Sequence, residues 1–414
     1  MRPPATAPRS GAGAAPSRTP ATTTTPRAGR GRGRQAAHAP LGNSPAMRTQ
    51  VTAYQLRRHL QAHMARDQHR AAMCGRFAAP HAGIRVRRAG DGAAHYSGLA
   101  VCGSMSACPV CARKIRHGRG QEIERAIRAH QDQGGGVLFL TATVPHDRTM
   151  TLSECFDLVR FAFREVMRGR HRATLRDRFG VQGFIRATEA TVGDRGWHVH
   201  QHAVLLVDEP WDDLDRVVEL WRWIWERWAK RVEAHGGRRP SLARGIQVVP
   251  AREDNTAMAR YIAAVNGGLA TETTRGDAKH GRLGNRSPFQ VLADHAEHGD
   301  PRDWALWIEW CEGSRGRRLI EWSAGLRAAL LGTEHGPTDE DLVAEHDTAE
   351  VIADITRDAW RELMQAHADT ALLVAAEHGA TGIQLMIRSS ALPLWIDQRD
   401  HGGPPIIRCA RRNR

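Results

Sequence analysis

The sequence is short of several things. Lysine occurs only at Lys114, Lys230 and Lys279 among 59 basic residues, and tyrosine only at Tyr54, Tyr96 and Tyr261. No apolar run approaches the roughly 18 residues of a membrane span. No basic-apolar-small pattern of a secretory leader opens the chain. These absences predict a cytoplasmic protein with no membrane partner. In a reduced compartment the seven cysteines favour metal ligation or lone thiols over disulfides. Acidic residues are also too few to balance the basic ones. The net charge is +14 and the isoelectric point near 10.5, which points to a polyanionic partner, most simply nucleic acid. The scarcity of lysine, with abundant alanine and glycine, suggests a GC-rich genome. The arginines are therefore not by themselves evidence of selected fork-like contacts.

Residues 1–48 hold eight arginines and no acid, including Arg30-Gly31-Arg32-Gly33-Arg34. Such a stretch buries no core and reads as a disordered tail, either touching DNA phosphates loosely or inert. Residues 49–133 read as a helix followed by a cysteine region. Cys108-x-x-Cys111 has the knuckle spacing of structural zinc, and Cys74 and Cys102 complete four thiolates. No thioredoxin-like βαβ pattern surrounds the knuckle, which argues against redox chemistry. Cys155, Cys311 and Cys409 have no partners by spacing and read as plain thiols.

Beyond a basic helix over about 112–132 comes the apolar strand Val137–Pro145, with Thr141 and Thr143 on one face. Thr151-Leu152-Ser153-Glu154 then reads as a capping box. The stretch that organises the rest is Gly196-Trp197-His198-Val199-His200-Gln201-His202, followed by Ala203-Val204-Leu205-Leu206. As a strand it puts His198, His200 and His202 on one face, about 6.6 Å apart. Upstream, Phe184–Val192 is a second strand, and Gly193-Asp194-Arg195-Gly196 is a turn by composition. If Val192 pairs with Trp197, Glu189 stands opposite His200. Three imidazoles and a carboxylate on one surface are expensive to bury without partners, so the hairpin reads as a metal site with His198, His200, His202 and Glu189 as its ligands. Hard oxygen and imidazole donors together suit Mn2+ or Mg2+, with zinc also able to bind. Residues 211–233 carry a tryptophan stripe at helical spacing, read as core. Residues 253–266 read as a helix containing Tyr261, with Arg260 beside it in reach of a phosphate.

Taken alone, a tyrosine on such a helix is an ordinary core residue. The order of the strand Phe139–Pro145, the strand His198-Val199-His200-Gln201-His202 and the Tyr261 helix, however, resembles the three motifs of the HUH endonucleases. Within them it is similar to plasmid rolling-circle replication initiators of Gram-positive, actinobacterial type. Cys102-Gly103-Ser104 through Cys108-Pro109-Val110-Cys111, Lys279-His280-Gly281-Arg282 through Ser287-Pro288-Phe289, and Trp322-Ser323-Ala324-Gly325-Leu326-Arg327 share in the resemblance, which covers about residues 74–330. It implies an α+β fold, a central antiparallel sheet flanked by helices and preceded by the four-cysteine zinc region. It also implies a metal held by His198 and His200 with His202 or Glu189, and Tyr261 as the nucleophile that nicks one strand and leaves a 5′-phosphotyrosyl link and a 3′-OH primer. Arg260, Lys279 and Arg282 would touch DNA. Origin DNA, single-stranded or as a hairpin, would be the substrate, and a host helicase and polymerase the partners. Some related initiators carry a glutamate one turn before the tyrosine; here that position is Ala257, which leaves the terminating step open.

The expected organisation is a tail (1–48), the helix and zinc region (49–133), the endonuclease domain (134–300) and a helical C-terminal region (301–414). Two other functions fit part of the sequence. An HUH transposase or mobilisation relaxase would use the same site on another origin. A non-catalytic zinc-dependent DNA-binding regulator would need the cysteines and the charge but leave the hairpin constellation without a purpose.

Overall fold

A computed structural model describes residues 45–251, 285–344, 349–399 and 402–410, with the backbone alone for 45–49. All of them belong to one unit, Ala39–Arg414. In chain order it runs through helix α1 (Pro45–His63), strands β1 (Ile84–Arg88) and β2 (Ala94–Ser97), helix α2 (Pro109–Asp132), strand β3 (Gly136–Thr143) and helices α3 (Leu152–Val166) and α4 (Gly169–Phe179). Strands β4 (Val181–Gly193) and β5 (Gly196–Val207), helix α5 (Leu214–Ala234) and strand β6 (Ile246–Pro250) follow. After residue 285 come α6 (Pro288–His298), α7 (Pro301–Gly313), β7 (Ile320–Trp322), α8 (Leu326–Leu331) and α9 (Asp339–Ala344). The last elements are β8 (Glu350–Ile355), α10 (Arg357–Gln365), α11 (Asp369–Ala376), α12 (Gly379–Ser389), β9 (Leu394–Asp397) and β10 (Ile406–Cys409).

The expected α+β architecture is present, with sheets rich in antiparallel pairs and flanked by helices. One five-stranded sheet has the order β6-β3-β5-β4-β7 and is antiparallel throughout. Its strand β5 changes character along its length. Gly196–Gln201 alternates half-buried and buried positions, whereas every residue from His202 to Val207 is buried. An alternating strand has one covered face; a continuously buried one has two. Helices α3 and α5 cover one face. On the other, Ile123, Ala126 and Ile127 of α2 and Leu326 of α8 pack on Val137, Ile185, Val204 and Leu206. That second cover stops short of His198 and His200.

The helices over the sheet form for local reasons. In α3 the capping box is made: the Thr151 hydroxyl accepts from the Glu154 N–H, and the Glu154 carboxylate accepts from the Thr151 N–H. Its buried Leu152, Phe156, Val159 and Phe163 recur at helical spacing. The α5 tryptophans are core, as their spacing predicts. Trp228 Nε1 donates to the Thr143 carbonyl (2.9 Å) and Trp221 Nε1 to the Ile246 carbonyl (2.7 Å), so these two indoles pack without stranding the N–H. The two positions of the stripe that face solvent are Leu214 and Val218.

The second sheet, β2-β1-β8-β10-β9, departs from the sequence reading. Residues 301–414 are not a helical region alone: they hold β7, β8, β9 and β10. β8 pairs with β1, Ile84 facing Ile355, so the cysteine region and the C-terminal region share a sheet. β7 pairs with β4 in the other sheet, and Arg186 of β4 is ion-paired with Glu321 of β7. These strands span three to six residues, too short for a periodicity to stand out, and their partners are remote in sequence. Among the described residues no helix is long and apolar enough to cross a membrane.

Candidate metal centres and nucleic-acid site

The β4–β5 hairpin turns on Asp194 and Arg195, with Gly193 facing Gly196 and Gly196 at φ +84°. At that φ a side chain is strained, and a Cβ on Gly196 would also lie 3.1 Å from the Asp147 carbonyl oxygen. The tight turn fixes the register: Val192 opposite Trp197, Thr191 opposite His198, Glu189 opposite His200. On the other flank Thr141 of β3 faces His202. Directly opposed residues share a face, so Thr141, Glu189, His198, His200 and His202 lie on the face that α2 packs against, along the stretch where that cover has stopped.

Two imidazoles converge there on one carboxylate oxygen. His200 Nε2 and His202 Nε2 donate to Glu189 Oε2 at 3.0 and 3.1 Å. With His202 Nε2 protonated, its Nδ1 accepts from the Thr141 hydroxyl at 3.1 Å. Burial alone would raise the Glu189 carboxyl. The hydrogen bonds and charge of His200 and His202 outweigh it and hold the group well below the usual carboxylate range. Burial pushes His202 down, partly opposed by Glu189. The ligand atoms of Glu189, His200 and His202 lie within 4.8 Å of one another. Two imidazoles and a carboxylate are a donor set for a divalent first-row ion with open positions, and buried His200 Nδ1 has no hydrogen-bond partner among the described residues. The residues fit a metal. Glu189, His200 and His202 would hold it, and the Thr141 hydroxyl beside His202 Nδ1 would orient that ring.

His198 stands apart from this group of three. Its ring stacks on His200 and on His146, each at 4.8 Å between centroids. Burial first, then His200 and His146, pushes its pKa down to about 3. His146, in the loop after β3, does not stand out in the sequence, because no regular spacing links it to the hairpin.

The four cysteines read as zinc ligands are together and buried. Cys74 Sγ lies 3.5 Å from Cys111 and 3.6 Å from Cys108, and Cys102 lies 3.7 Å from Cys111. A tetrahedron with Zn–S near 2.3 Å has edges of about 3.8 Å, whereas a disulfide bond is about 2.05 Å. The spacing fits one zinc ion. Arg57 of α1, ringed by Tyr54 at 4.5 Å and by Asp369 at 3.7 Å, is buried beside the thiols, where its charge offsets that of thiolates.

Tyr261, Arg260, Lys279, Arg282 and Ala257 lie outside the described residues. The two other tyrosines are inside. Tyr54 and Tyr96 are buried against each other, ring centroids 5.7 Å apart, and the Tyr96 hydroxyl donates to the Asp369 carbonyl at 2.6 Å. Burial raises the pKa of both. A third gathering, His59, His63 and His295, escapes the sequence reading. His59 and His63 are one helical turn apart, but nothing in the sequence brings His295 to them.

Residues 99–360 match the model of a family described as "Replication protein". "Protein rep" of Streptomyces lividans is 31% identical over 366 residues, 72% of this chain and 80% of that protein. The "Neomycin resistance protein" of Streptomyces cyanogenus is 32% identical over 153 residues, 31% of this chain and 35% of its own. No solved structure matches. The chain belongs to the replication protein family, as the order of its motifs implies, and DNA is its partner.

Proposed function

We propose that this replication protein starts rolling-circle replication of a plasmid by nicking one strand of origin DNA. The observation that carries the reading is the convergence of His200 and His202 on Glu189, on an open face of a sheet in a strongly basic replication protein. In this reading residues 134–300 hold the nicking machinery, and Cys74, Cys102, Cys108 and Cys111 hold a structural zinc.

The Tyr261 phenol oxygen attacks the scissile phosphorus. The bond from phosphorus to the 3′ oxygen breaks, leaving a 5′-phosphotyrosyl link and a free 3′-OH for a host polymerase, with a host helicase opening the duplex. The phenol, with an ordinary pKa of about 10, gives up its proton to a nearby base as the bond forms. Glu189, His200 and His202, with His198 beside them, would hold Mn2+ or Mg2+, and the chemistry supplied at that site would be Lewis-acid polarisation of the phosphate. Arg260, Lys279 and Arg282 pair with DNA phosphates and position the strand. The assignment of Tyr261 is supported by the burial of Tyr54 and Tyr96, whose hydroxyls meet a phosphodiester only if the core opens. The chain leaves the sheet at Ala251 and returns at Arg286, which bridges to Val192 of the hairpin. Residue 261 thus belongs to a segment tethered at its far end beside the metal face. The site of action is the cytoplasm.

The test is incubation with a supercoiled plasmid bearing the candidate origin, in Mn2+ or Mg2+. Open circles carrying covalently bound protein are expected, none in chelator. Intact plasmid in every metal tested would reject the nicking reading.

A further inference from the structure

We propose a separate zinc-class site formed by His59 and His63 of α1 and His295 of α6, which staples the first described helix to the helix that follows the Tyr261 segment. It is independent of the nicking reading.

Three features support it. His59 and His63 are four residues apart, so both imidazoles leave the same helical face, with ring centroids 4.3 Å apart. His295, buried on α6, completes the triangle at 4.8 Å from His59 and 5.1 Å from His63. The candidate ligand nitrogens all lie within 4.8 Å of one another.

The second feature is orientation. His63 Nδ1 donates to the His59 carbonyl at 2.9 Å. This hydrogen bond selects the tautomer in which Nε2 carries the lone pair, as is usual for metal-bound histidine, where the other nitrogen is held by a backbone oxygen. The third is spacing. His59 Nε2 lies 2.8 Å from His295 Nδ1. Two nitrogens on a tetrahedral zinc ion, at about 2.0–2.1 Å each, are about 3.3 Å apart. Parting the two nitrogens by about half an ångström and turning the rings toward a common centre would convert this imidazole–imidazole hydrogen bond into a pair of ligands. Trp304 of α7 flanks the group, 5.5 Å from His63 and 5.2 Å from His295.

Three neutral imidazoles with no carboxylate among them select borderline ions such as Zn2+, Co2+ or Ni2+ over Mg2+ or Mn2+. His63 is exposed, so the fourth position opens to solvent, where water completes the tetrahedron. What such an ion adds is mechanical. α6 begins just after Arg286, which is bridged to Val192 of the hairpin, so a metal here ties α1 to the return of the chain at the metal face.

The experiment uses full-length protein loaded with Zn2+ and counts bound metal by native mass spectrometry. It compares the wild type with His63→Ala, chosen because His63 is exposed and its loss leaves the core intact. One zinc fewer per chain is expected in the variant. In a parallel Co2+ sample the thiolate charge-transfer absorption of the cysteine site is expected to be equal in both proteins, placing the loss outside the cysteines. His59→Ala should lose the same single ion. Equal zinc counts in wild type and His63→Ala would overturn the proposal and leave the three histidines as hydrogen-bonded packing. So would a variant whose missing zinc is matched by a lost thiolate band.

Discussion

His200 is the residue on which the candidate metal face turns: its Nε2 points at Glu189, and its Nδ1 is buried without a partner among the described residues. His200→Ala should lower metal-dependent nicking by at least about 100-fold, by removing a direct ligand. Affinity for duplex DNA should stay near wild type, because it comes mostly from arginines on phosphates. Gel-shift and nicking assays on one preparation check this, and parallel loss of both would merge the roles the account separates. The neighbouring His198 makes a statement about pH. Its folded-state pKa of about 3 lies below the ordinary value near 6.5, so between those values the unfolded chain binds the extra proton. Stability from this group is complete above about pH 6.5 and is lost as pH falls toward 3, at up to about 1.4 kcal/mol per pH unit. Urea unfolding of metal-stripped protein should show a gentler decline from pH 6.5 to 4.5 in His198→Gln than in wild type. Identical profiles would contradict it.

At the scale of elements, the hairpin was legible because three local signals agreed. A turn sequence, alternating histidines and an apolar strand end required one register, and that register places Glu189 opposite His200. The capping box at Thr151 and the α5 tryptophans were legible for the same reason. The β8–β1 and β7–β4 pairings were not, since a strand of three to six residues carries little period and its partner lies far along the chain. The metal face was readable in part. Its three donors came from one hairpin, but the separation of His198 from them depends on side-chain directions that a strand pattern does not give. The cysteine site joins the loop after α1 to the start of α2. Cys108→Ser should release one zinc per chain and destabilise the region by several kcal/mol, on the order of what a structural zinc contributes to a small domain. Native mass spectrometry and thermal melting check both, and an unchanged zinc count would remove the site.

On the scale of the whole molecule, the two sheets are tied through the C-terminal residues. β8 and β10 complete the sheet begun by β1 and β2. Trp360 Nε1 donates to the Arg76 carbonyl at 3.1 Å, and buried Asp369 pairs with Arg57 and Arg58. Ending the chain after Ala344 should therefore do more than trim an appendage. It strands the buried Arg57 and the half-buried Arg58 and bares strand β1 as an edge, each a recognised route to unfolding or aggregation. The truncated protein should lose its cooperative thermal transition; an unaltered melting temperature would show that residues 345–414 fold apart. The central claim, that this replication protein cuts DNA by attack of Tyr261, rests on a residue in a segment between two described anchors. The most direct measurement is peptide mapping of the covalent protein–DNA adduct, formed on an origin oligonucleotide in Mn2+ and digested to the phosphorylated peptide. The account predicts the phosphate on Tyr261 and no adduct from Tyr261→Phe, a variant that should still fold, since the lost hydroxyl removes at most a hydrogen bond of about 1 kcal/mol. Phosphate on Tyr54 or Tyr96, or an adduct from Tyr261→Phe, would contradict it.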